Sequence, residues 1–297
     1  MLEGIITSLV TPMKSNGKLD YISLKKLINF QLNNKIKNIL VLGSTGEPCT
    51  LNFSEHLKLV SKTVKYSKNK FNLVSGSCSN STFDSIYINK RLEFLKVNYL
   101  LQVVPYYNRP SQNGIYNHFK SISLNTNLPI IIYNIPSRTG INIDKETIIS
   151  LSKFDNIIGI KNSVNDIGFC FDLINYFRKN RNFYFYCGDD IYFLLFYLFG
   201  AKGNISVSSN IFPKEMNLIV RYLNNNNFRK SLNLYFKLFN IFKLLSFESN
   251  PIPVKWVLSK MNLIKNNLRL PLTTLGKTGR KLMKKELIKY NSNFFCF

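Results

Sequence analysis

The sequence predicts an α/β protein in which eight strands and the helices between them close into one barrel, followed by a helical extension. Three observations predict this fold: short apolar runs at regular intervals, longer segments with helical periodicity between them, and a C-terminal stretch without a strand. Strands that alternate with helices form parallel sheets, and eight units suit a closed barrel better than an open sheet. The 297 residues suffice for such a barrel, which commonly takes about 250 residues.

The eight apolar runs are short and are bounded by Gly, Pro, Ser or Asn. Most are almost continuously apolar, which is typical of strands buried on both faces of a parallel sheet. The runs are ITSLVTP (5–11), ILVLGSTG (39–46), NLVSGS (72–77), YLLQVVPYY (99–107), PIIIYNIP (129–136), IIGIKNS (157–163), FYFYCGDD (183–190) and GNISVSS (203–209).

The segments between the strands repeat apolar residues at helical spacing, as in 21–34, 54–67, 81–96 and 144–154. Ser54 is the expected N-cap of the second of these helices. After the Asn run 224–227, the segments 228–247 and 254–264 are both helical in pattern. The sequence therefore predicts a (β/α)8 TIM barrel catalytic domain over residues 1–224 and a C-terminal helical region over residues 225–297.

The net charge of +24 and the pI near 9.8 raise nucleic-acid binding as a hypothesis. The lysines, however, are dispersed and accompany abundant Asn, Ile, Phe and Tyr, the residues of A/T-rich codons. Compositional drift explains the charge, so we expect no nucleic-acid partner. The sequence has no run of eighteen apolar residues and no signal-peptide pattern at its start, which predicts a cytoplasmic protein without a membrane partner.

Cysteine and histidine usage argues against several kinds of active site. The five cysteines (Cys49, Cys78, Cys170, Cys187 and Cys296) form no C-x-x-C pair, and His56 and His118 are the only histidines in the sequence. We therefore expect free thiols, no metal centre and no Ser-His-Asp triad.

In a barrel of this kind the chemistry lies at the C-terminal ends of the strands. Lys161 follows the apolar residues IIGI of strand six, where desolvation would favour the neutral, nucleophilic amine. Tyr133 stands near the end of strand five, where its phenol could relay protons. Arg138, in the Gly-flanked loop after it, suits recognition of a carboxylate. Each residue in isolation is equally consistent with packing or a solvated surface.

Two further strand ends carry candidate groups. After strand two, GSTGE (43–47) forms a tight turn whose backbone N–H groups and whose Ser44 and Thr45 hydroxyls could meet an anion. After strand four, VVPYYNRPSQ (103–112) places Tyr106 and Tyr107 side by side, where they must point in different directions. An aromatic subunit contact is the alternative for the tyrosine pair.

Taken together, these segments resemble the dihydrodipicolinate synthase / N-acetylneuraminate lyase family of class I aldolase barrels, in order along almost the whole chain. The stretches that carry the resemblance are IITSLVTPM, GSTGE, VVPYYNRPSQ, YNIPSRTG, IIGIKN, GDD, ISV and NPIPVKW. The Arg of PSRTG points to the synthase branch, because the sialic-acid lyases lack it. This resemblance implies a lyase of diaminopimelate and lysine biosynthesis that condenses pyruvate with L-aspartate-4-semialdehyde.

The resemblance also implies a role for each matching residue. Lys161 would form the imine with pyruvate. Tyr133, Ser44 and Tyr107 would be the proton-relay triad, with Tyr107 reaching in from a neighbouring subunit. The substrate-binding residues would be Thr45 and the Ile205 carbonyl for pyruvate, and Arg138 for the semialdehyde carboxylate. The resemblance further implies a homotetramer, a dimer of dimers, and we expect no cofactor.

Several positions depart from the family pattern. Ser44 stands where Thr is usual, which removes a methyl that restricts the rotamer, and Asn162 stands where an acidic residue is usual. The lysine-binding positions of feedback-inhibited relatives correspond here to His56, Asn80, Asp84 and Tyr106. Because Phe53, Cys49 and the shortened Asp84 differ from the inhibited enzymes, we expect weak or absent inhibition by lysine.

Two alternatives stay open on the sequence. Another pyruvate-dependent aldolase, of the N-acetylneuraminate lyase or keto-deoxy-sugar type, would keep the imine and use a different partner substrate. A basic nucleic-acid-binding protein on the same barrel would need its charge concentrated on one face, with steeply salt-dependent binding.

Overall fold

The computed structural model describes residues 2–77, 79–164, 166–179, 182–291 and 295–296. Its eight strands form a closed parallel barrel in chain order, which confirms the predicted TIM barrel. The strands are β1 Gly4–Ser8, β2 Asn38–Val41, β3 Asn72–Gly76, β4 Tyr99–Val103, β5 Ile130–Asn134, β6 Ile157–Asn162, β7 Tyr184–Cys187 and β8 Gly203–Ser206.

Helices follow the strands and form the C-terminal extension. They are α1 Tyr21–Asn33, α2 Phe53–Ser67, α3 Thr82–Phe94, α4 Gln112–Ser123, α5 Pro136–Thr139, α6 Lys145–Leu151, α7 Ile167–Phe177, α8 Phe193–Leu198, α9 Pro213–Asn224, α10 Phe228–Leu245, α11 Ile252–Lys260 and α12 Lys277–Asn291. None of the helices in the described ranges is both long and apolar enough to cross a membrane.

Residue contacts divide the chain into two compact units. The first comprises residues 1–3 and 72–205 and holds β3 to β7 with most of β8. Its strands pair in parallel register; in β5, all five residues are buried, as the continuous apolar run predicts for a strand covered on both faces.

The second unit comprises residues 4–71 and 206–297. It holds β1, β2 and the helices from α9 to α12, and α10 packs against both α9 and α12. The break between α9 and α10 falls in the Asn run, at residues 225–227. The division into a barrel over 1–224 and a helical region over 225–297 stays a prediction.

The start of α2 differs from the prediction. Asn52, not Ser54, is the N-cap: the Asn52 side chain accepts a hydrogen bond from Glu55 N at 3.0 Å, and the Glu55 carboxylate accepts from Asn52 N at 3.1 Å. This reciprocal capping box satisfies two backbone donors, whereas Ser54 would satisfy one. The Ser54 hydroxyl instead donates to the Asn52 side chain.

The cysteines in the described ranges are free thiols, as expected, but they differ in exposure. Cys170 and Cys187 are buried, whereas Cys49 and Cys296 are exposed. Burial raises the pKa of the Cys170 thiol to about 11, so this group is protonated and unreactive at neutral pH. Cys78 lies outside the described residues.

Candidate active site

Lys161 and Tyr133 occupy neighbouring positions on β6 and β5. They are register partners, and both are buried, with 4% and 5% of their surfaces exposed. The Lys161 Nζ atom lies 3.8 Å from the centroid of the Tyr133 ring. The amine forms no ion pair within 4.0 Å to any acid in the described part of the chain. The two residues predicted to share the chemistry are thus in direct contact.

Gly188 and Asp189, just after β7, border the same lysine. A Cβ atom at Gly188 would come within 3.0 Å of Lys161 Cε and closer still to Ser163 Oγ, so the lysine side chain uses the space that glycine leaves. Burial raises the pKa of the Asp189 carboxyl, while the Lys161 charge acts in the opposite direction. The sequence alone gave no role to Gly188, the first residue of GDD. The structure shows that a glycine at this position leaves space for the Lys161 side chain.

Asn162 points away from Lys161, since successive side chains of a strand alternate between its two faces. Its Oδ1 accepts a hydrogen bond from Asn134 Nδ2 at 2.8 Å, and its Nδ2 donates to Cys170 Sγ at 3.2 Å. The Asn134 amide also donates to Asn142 Oδ1 at 2.7 Å. These buried amides tie β5 to β6 directly behind the Tyr133–Lys161 pair. Asn162 therefore has a structural role: its neutral amide forms hydrogen bonds with neutral side chains.

The other predicted residues of the first unit have different surroundings. Arg138 lies exposed in the last turn of α5, whose C-cap Gly140 has a φ of +74°, a conformation that glycine adopts without strain. Ile205 is buried in β8, with 1% of its surface exposed. Tyr107 is 91% exposed and has a φ of +71°. A large exposed aromatic in the left-handed region is uncommon, and such backbone strain is concentrated at functional sites.

In the second unit, Ser44 and Thr45 begin a single 3-10 turn, Ser44–Gly46. Gly46 N donates to Gly43 O at 2.8 Å and Glu47 N to Ser44 O at 3.2 Å, so these two donors of the predicted anion-binding turn are already used. Ser44 is half-buried and Thr45 is buried. The Thr45 hydroxyl oxygen accepts hydrogen bonds from Ser8 Oγ at 3.0 Å and from Asn250 Nδ2 at 2.9 Å.

A fully buried ion pair anchors the end of this turn. Glu47, with a φ of +55°, pairs with Lys255 of α11 at 2.5 Å, and neither side chain is exposed to solvent. The Lys255 amine also donates to Asn267 O at 2.8 Å, and Arg269 N donates to Glu47 Oε2 at 3.4 Å. Burial lowers the pKa of Lys255, and Glu47 opposes this shift. Sequence reasoning missed the pair, although both residues stand in stretches that carry the family resemblance.

The four predicted regulatory residues fall in different units. In the first, Asn80 Nδ2 donates to Tyr106 O at 3.1 Å, and Asp84 is exposed in the first turn of α3. In the second, a ring nitrogen of His56 lies 3.0 Å from Pro48 O, and burial lowers the pKa of the imidazole. Weak or absent inhibition by lysine stays a prediction.

No group of three or more His, Cys, Asp or Glu side chains in the described ranges could hold a metal ion.

The dihydrodipicolinate synthetase family model matches residues 1–290 of this chain. The chain belongs to this family. A 4-hydroxy-tetrahydrodipicolinate synthase of Buchnera aphidicola subsp. Baizongia pistaciae is 42% identical over 288 residues, which cover 97% of each sequence. The synthase of Sulfurihydrogenibium sp. is 39% identical over 293 residues, covering 98% of this chain and 99% of the relative.

Solved structures of synthases agree closely with this fold. The 4-hydroxy-tetrahydrodipicolinate synthase of Methylacidiphilum fumariolicum SolV has a TM-score of 0.95 at 35% identity, covering 98% of this chain and 97% of that chain. The chloride-inhibited dihydrodipicolinate synthase of Acinetobacter baumannii, complexed with pyruvate, has a TM-score of 0.94 at 36% identity, covering 98% of this chain and 99% of that chain.

These relatives confirm the predicted family, the enzyme class and the synthase branch. The lyase and keto-deoxy-sugar alternatives and the nucleic-acid-binding alternative are not favoured.

Proposed function

We propose that this chain condenses pyruvate with L-aspartate-4-semialdehyde as a 4-hydroxy-tetrahydrodipicolinate synthase, a lyase of diaminopimelate and lysine biosynthesis. The observation that carries the proposal is the Lys161 amine, buried on the face of the Tyr133 ring at the carboxyl end of β6. An amine in this position can form an imine only with a small carbonyl compound that enters at the C-terminal ends of the strands.

The chemistry follows from the imine. The Lys161 amine adds through its nitrogen lone pair to C2 of pyruvate, and loss of water forms the C=N bond. Removal of a proton from the methyl carbon gives an enamine, whose carbon adds to the aldehyde of the semialdehyde. The amino group of that substrate then attacks C2, closes the ring and releases the lysine. The imine is the electron sink in each step, so the condensation requires no cofactor.

Other residues fit the remaining tasks of this reaction. Tyr133, whose ring contacts the amine, is the proton carrier of the imine steps, and Ser44 and Tyr107 complete the relay. Thr45 and the Ile205 carbonyl bind the pyruvate end. Arg138, on the short helix after β5, meets the carboxylate of the semialdehyde, because a guanidinium can bind both oxygens of that group.

The relay requires more than one chain. The Tyr107 side chain is 91% exposed in a strained backbone conformation, which supports a role in a partner's site rather than in its own. We place it in a homotetramer, a dimer of dimers, and place the enzyme in the cytoplasm, where its two substrates are intermediates of metabolism.

Borohydride reduction in the presence of pyruvate tests the proposal. The reduced imine should be found by mass spectrometry on the peptide that contains Lys161, and Lys161→Ala should abolish it. Lys153→Met, which removes an exposed lysine, is the matched control and should trap normally. Turnover with aspartate-4-semialdehyde should greatly exceed cleavage of N-acetylneuraminate. Trapping on another lysine, or the opposite substrate preference, would refute the assignment.

A further inference from the structure

The Thr45 hydroxyl has an arrangement of hydrogen bonds that fixes its proton. A hydroxyl offers one proton and two acceptor lone pairs. Here the oxygen accepts from Ser8 Oγ at 3.0 Å and from Asn250 Nδ2 at 2.9 Å. With both lone pairs occupied by donors, the Thr45 proton must point to a third partner. An acceptor-only group such as a carboxylate is the partner that fits.

We propose that Asn250 and Ser8 are positioning residues that orient the Thr45 O–H toward the carboxylate of pyruvate. This inference rests on the function proposed above. Neither residue needs to touch the substrate, because each acts through Thr45. Each presents a hydrogen-bond donor to the Thr45 oxygen, whereas an acceptor at the same place would draw the Thr45 proton away from the carboxylate. Ser8 and Thr45 are each 2% exposed, so water does not compete for the same lone pairs.

The segment that supplies Asn250 is held in register with the turn at a second point. Asn250 bonds Thr45, and five residues later Lys255 pairs with Glu47, two residues beyond Thr45. Because charges this deeply buried remain stable only in good geometry with their hydrogen bonds satisfied, the ion pair sets the distance between the two segments. The Asn250 amide consequently reaches Thr45 from a fixed direction.

The neutral amide at position 250 matters for the charge of the substrate. An Asp there would accept the Thr45 proton and add a negative charge beside the carboxylate that the hydroxyl is meant to bind. Asn250→Asp keeps the size and shape of the side chain, so it reverses the polarity of one hydrogen bond. Its effect should therefore appear in the binding of pyruvate and not in that of the semialdehyde.

The test measures the pyruvate concentration that gives half-maximal borohydride trapping at Lys161, in the full-length protein. For Asn250→Asp we expect this concentration to rise about 10- to 100-fold, the equivalent of one hydrogen bond to a charged group. Ser8→Ala should raise it a few-fold. The KM for aspartate-4-semialdehyde should stay within about two-fold of wild type. Asn217→Asp, where the amide of α9 donates to Asn34 O, is the matched control and should change neither value.

A double-mutant cycle separates positioning from a general structural effect. Asn250→Ala should weaken pyruvate binding in the wild type and have no further effect in a Thr45→Val background, because the hydroxyl through which it acts is gone. Equal effects in both backgrounds would overturn the proposal. The proposal would also be overturned if the pyruvate concentration for half-maximal trapping were unchanged in both Asn250→Asp and Ser8→Ala. If wild type itself fails to trap pyruvate at Lys161, the proposed function is what fails.

Discussion

Two lysines are buried among the residues that the structure describes, and their surroundings differ in kind. Lys255 is fully buried in an ion pair with Glu47, and its amine has a second acceptor in Asn267 O. Lys161 is 4% exposed, lies over the Tyr133 ring and has no carboxylate within 4.0 Å among the described residues.

The difference fits the proposed roles of the two residues, a structural cation for Lys255 and a nucleophile for Lys161. A lysine whose amine donates to a carboxylate and to a carbonyl oxygen is stabilised as the ammonium ion, and removing the carboxylate leaves a buried charge without its partner. A lysine that must attack a carbonyl needs a free lone pair and room around its nitrogen. Burial by itself therefore does not mark a reactive lysine; the identity of its neighbours does.

The largest expected effect is the loss of activity in Lys161→Met. Removing the amine should reduce turnover at least roughly a thousandfold, since no imine can form. Because no ion pair is broken, the free energy of unfolding should change by less than about 1 kcal/mol. Steady-state assays and urea unfolding on the same preparation measure both. A severe loss of stability would show that Lys161 is also structural.

Lys255→Met should give the opposite result. Leaving Glu47 buried without its partner should cost about 3–5 kcal/mol of unfolding free energy. Below its unfolding temperature the variant should still trap pyruvate at Lys161 when pyruvate is saturating. The double variant Glu47→Gln with Lys255→Met should recover much of the lost stability, because no uncompensated charge remains. A double variant no more stable than the single one would contradict this explanation.

A third buried base extends the comparison to pH. Burial lowers the pKa of His118 to about 4, and a ring nitrogen lies 2.8 Å from the Thr82 hydroxyl. Between this pKa and the ordinary value of 6.5 the unfolded chain binds the proton and the folded chain does not. Stability is therefore fully present above about pH 6.5 and declines as the pH falls, by up to about 3 kcal/mol near pH 4. Urea unfolding from pH 7 to pH 4 should show a shallower decline in His118→Gln; an equal slope would exclude His118 as a cause.

The smallest of these effects concerns the room around Lys161. In Gly188→Ala the new methyl would clash with Ser163 Oγ and meet the Lys161 side chain, and misplacement of a reacting group should slow trapping about 10- to 100-fold. Gly168→Ala, where the added methyl would lie 3.3 Å from an oxygen of Asp166 in an α7 helix that favours alanine, is the control. Equal trapping rates in the two variants would show that the lysine can move aside.

The sequence allowed the fold to be predicted well because apolar runs and turn residues are local signals. The apolar run 99–107 extends beyond the strand that it indicates: β4 ends at Val103, and Pro105, just beyond it, has no N–H for a sheet. The start of α2 was misplaced by two residues because Asn52 and Ser54 are both good caps, and only the position of Glu55 distinguishes them.

The site was less predictable where partners are distant in sequence. The pairing of Lys161 with Tyr133 follows from adjacent parallel strands, which a barrel requires. The hydrogen bond from Asn250 to Thr45 joins positions 205 residues apart, and no periodicity or local motif encodes such a contact. The Asn134–Asn162 amide pair could not be predicted either, because an Asn in an apolar strand does not indicate which side chain it bonds to.

The link between Thr45 and Asn250 has a consequence for the order in which the protein is made. The turn at Ser44 emerges from the ribosome early, together with Ser8, but Asn250 and Lys255, the other partners of Thr45 and Glu47, are synthesised about 200 residues later. A nascent chain that already contains all eight strands thus still lacks part of the proposed pyruvate site. Fragments that stop at residue 224 should therefore have no enzymatic activity, even if they fold.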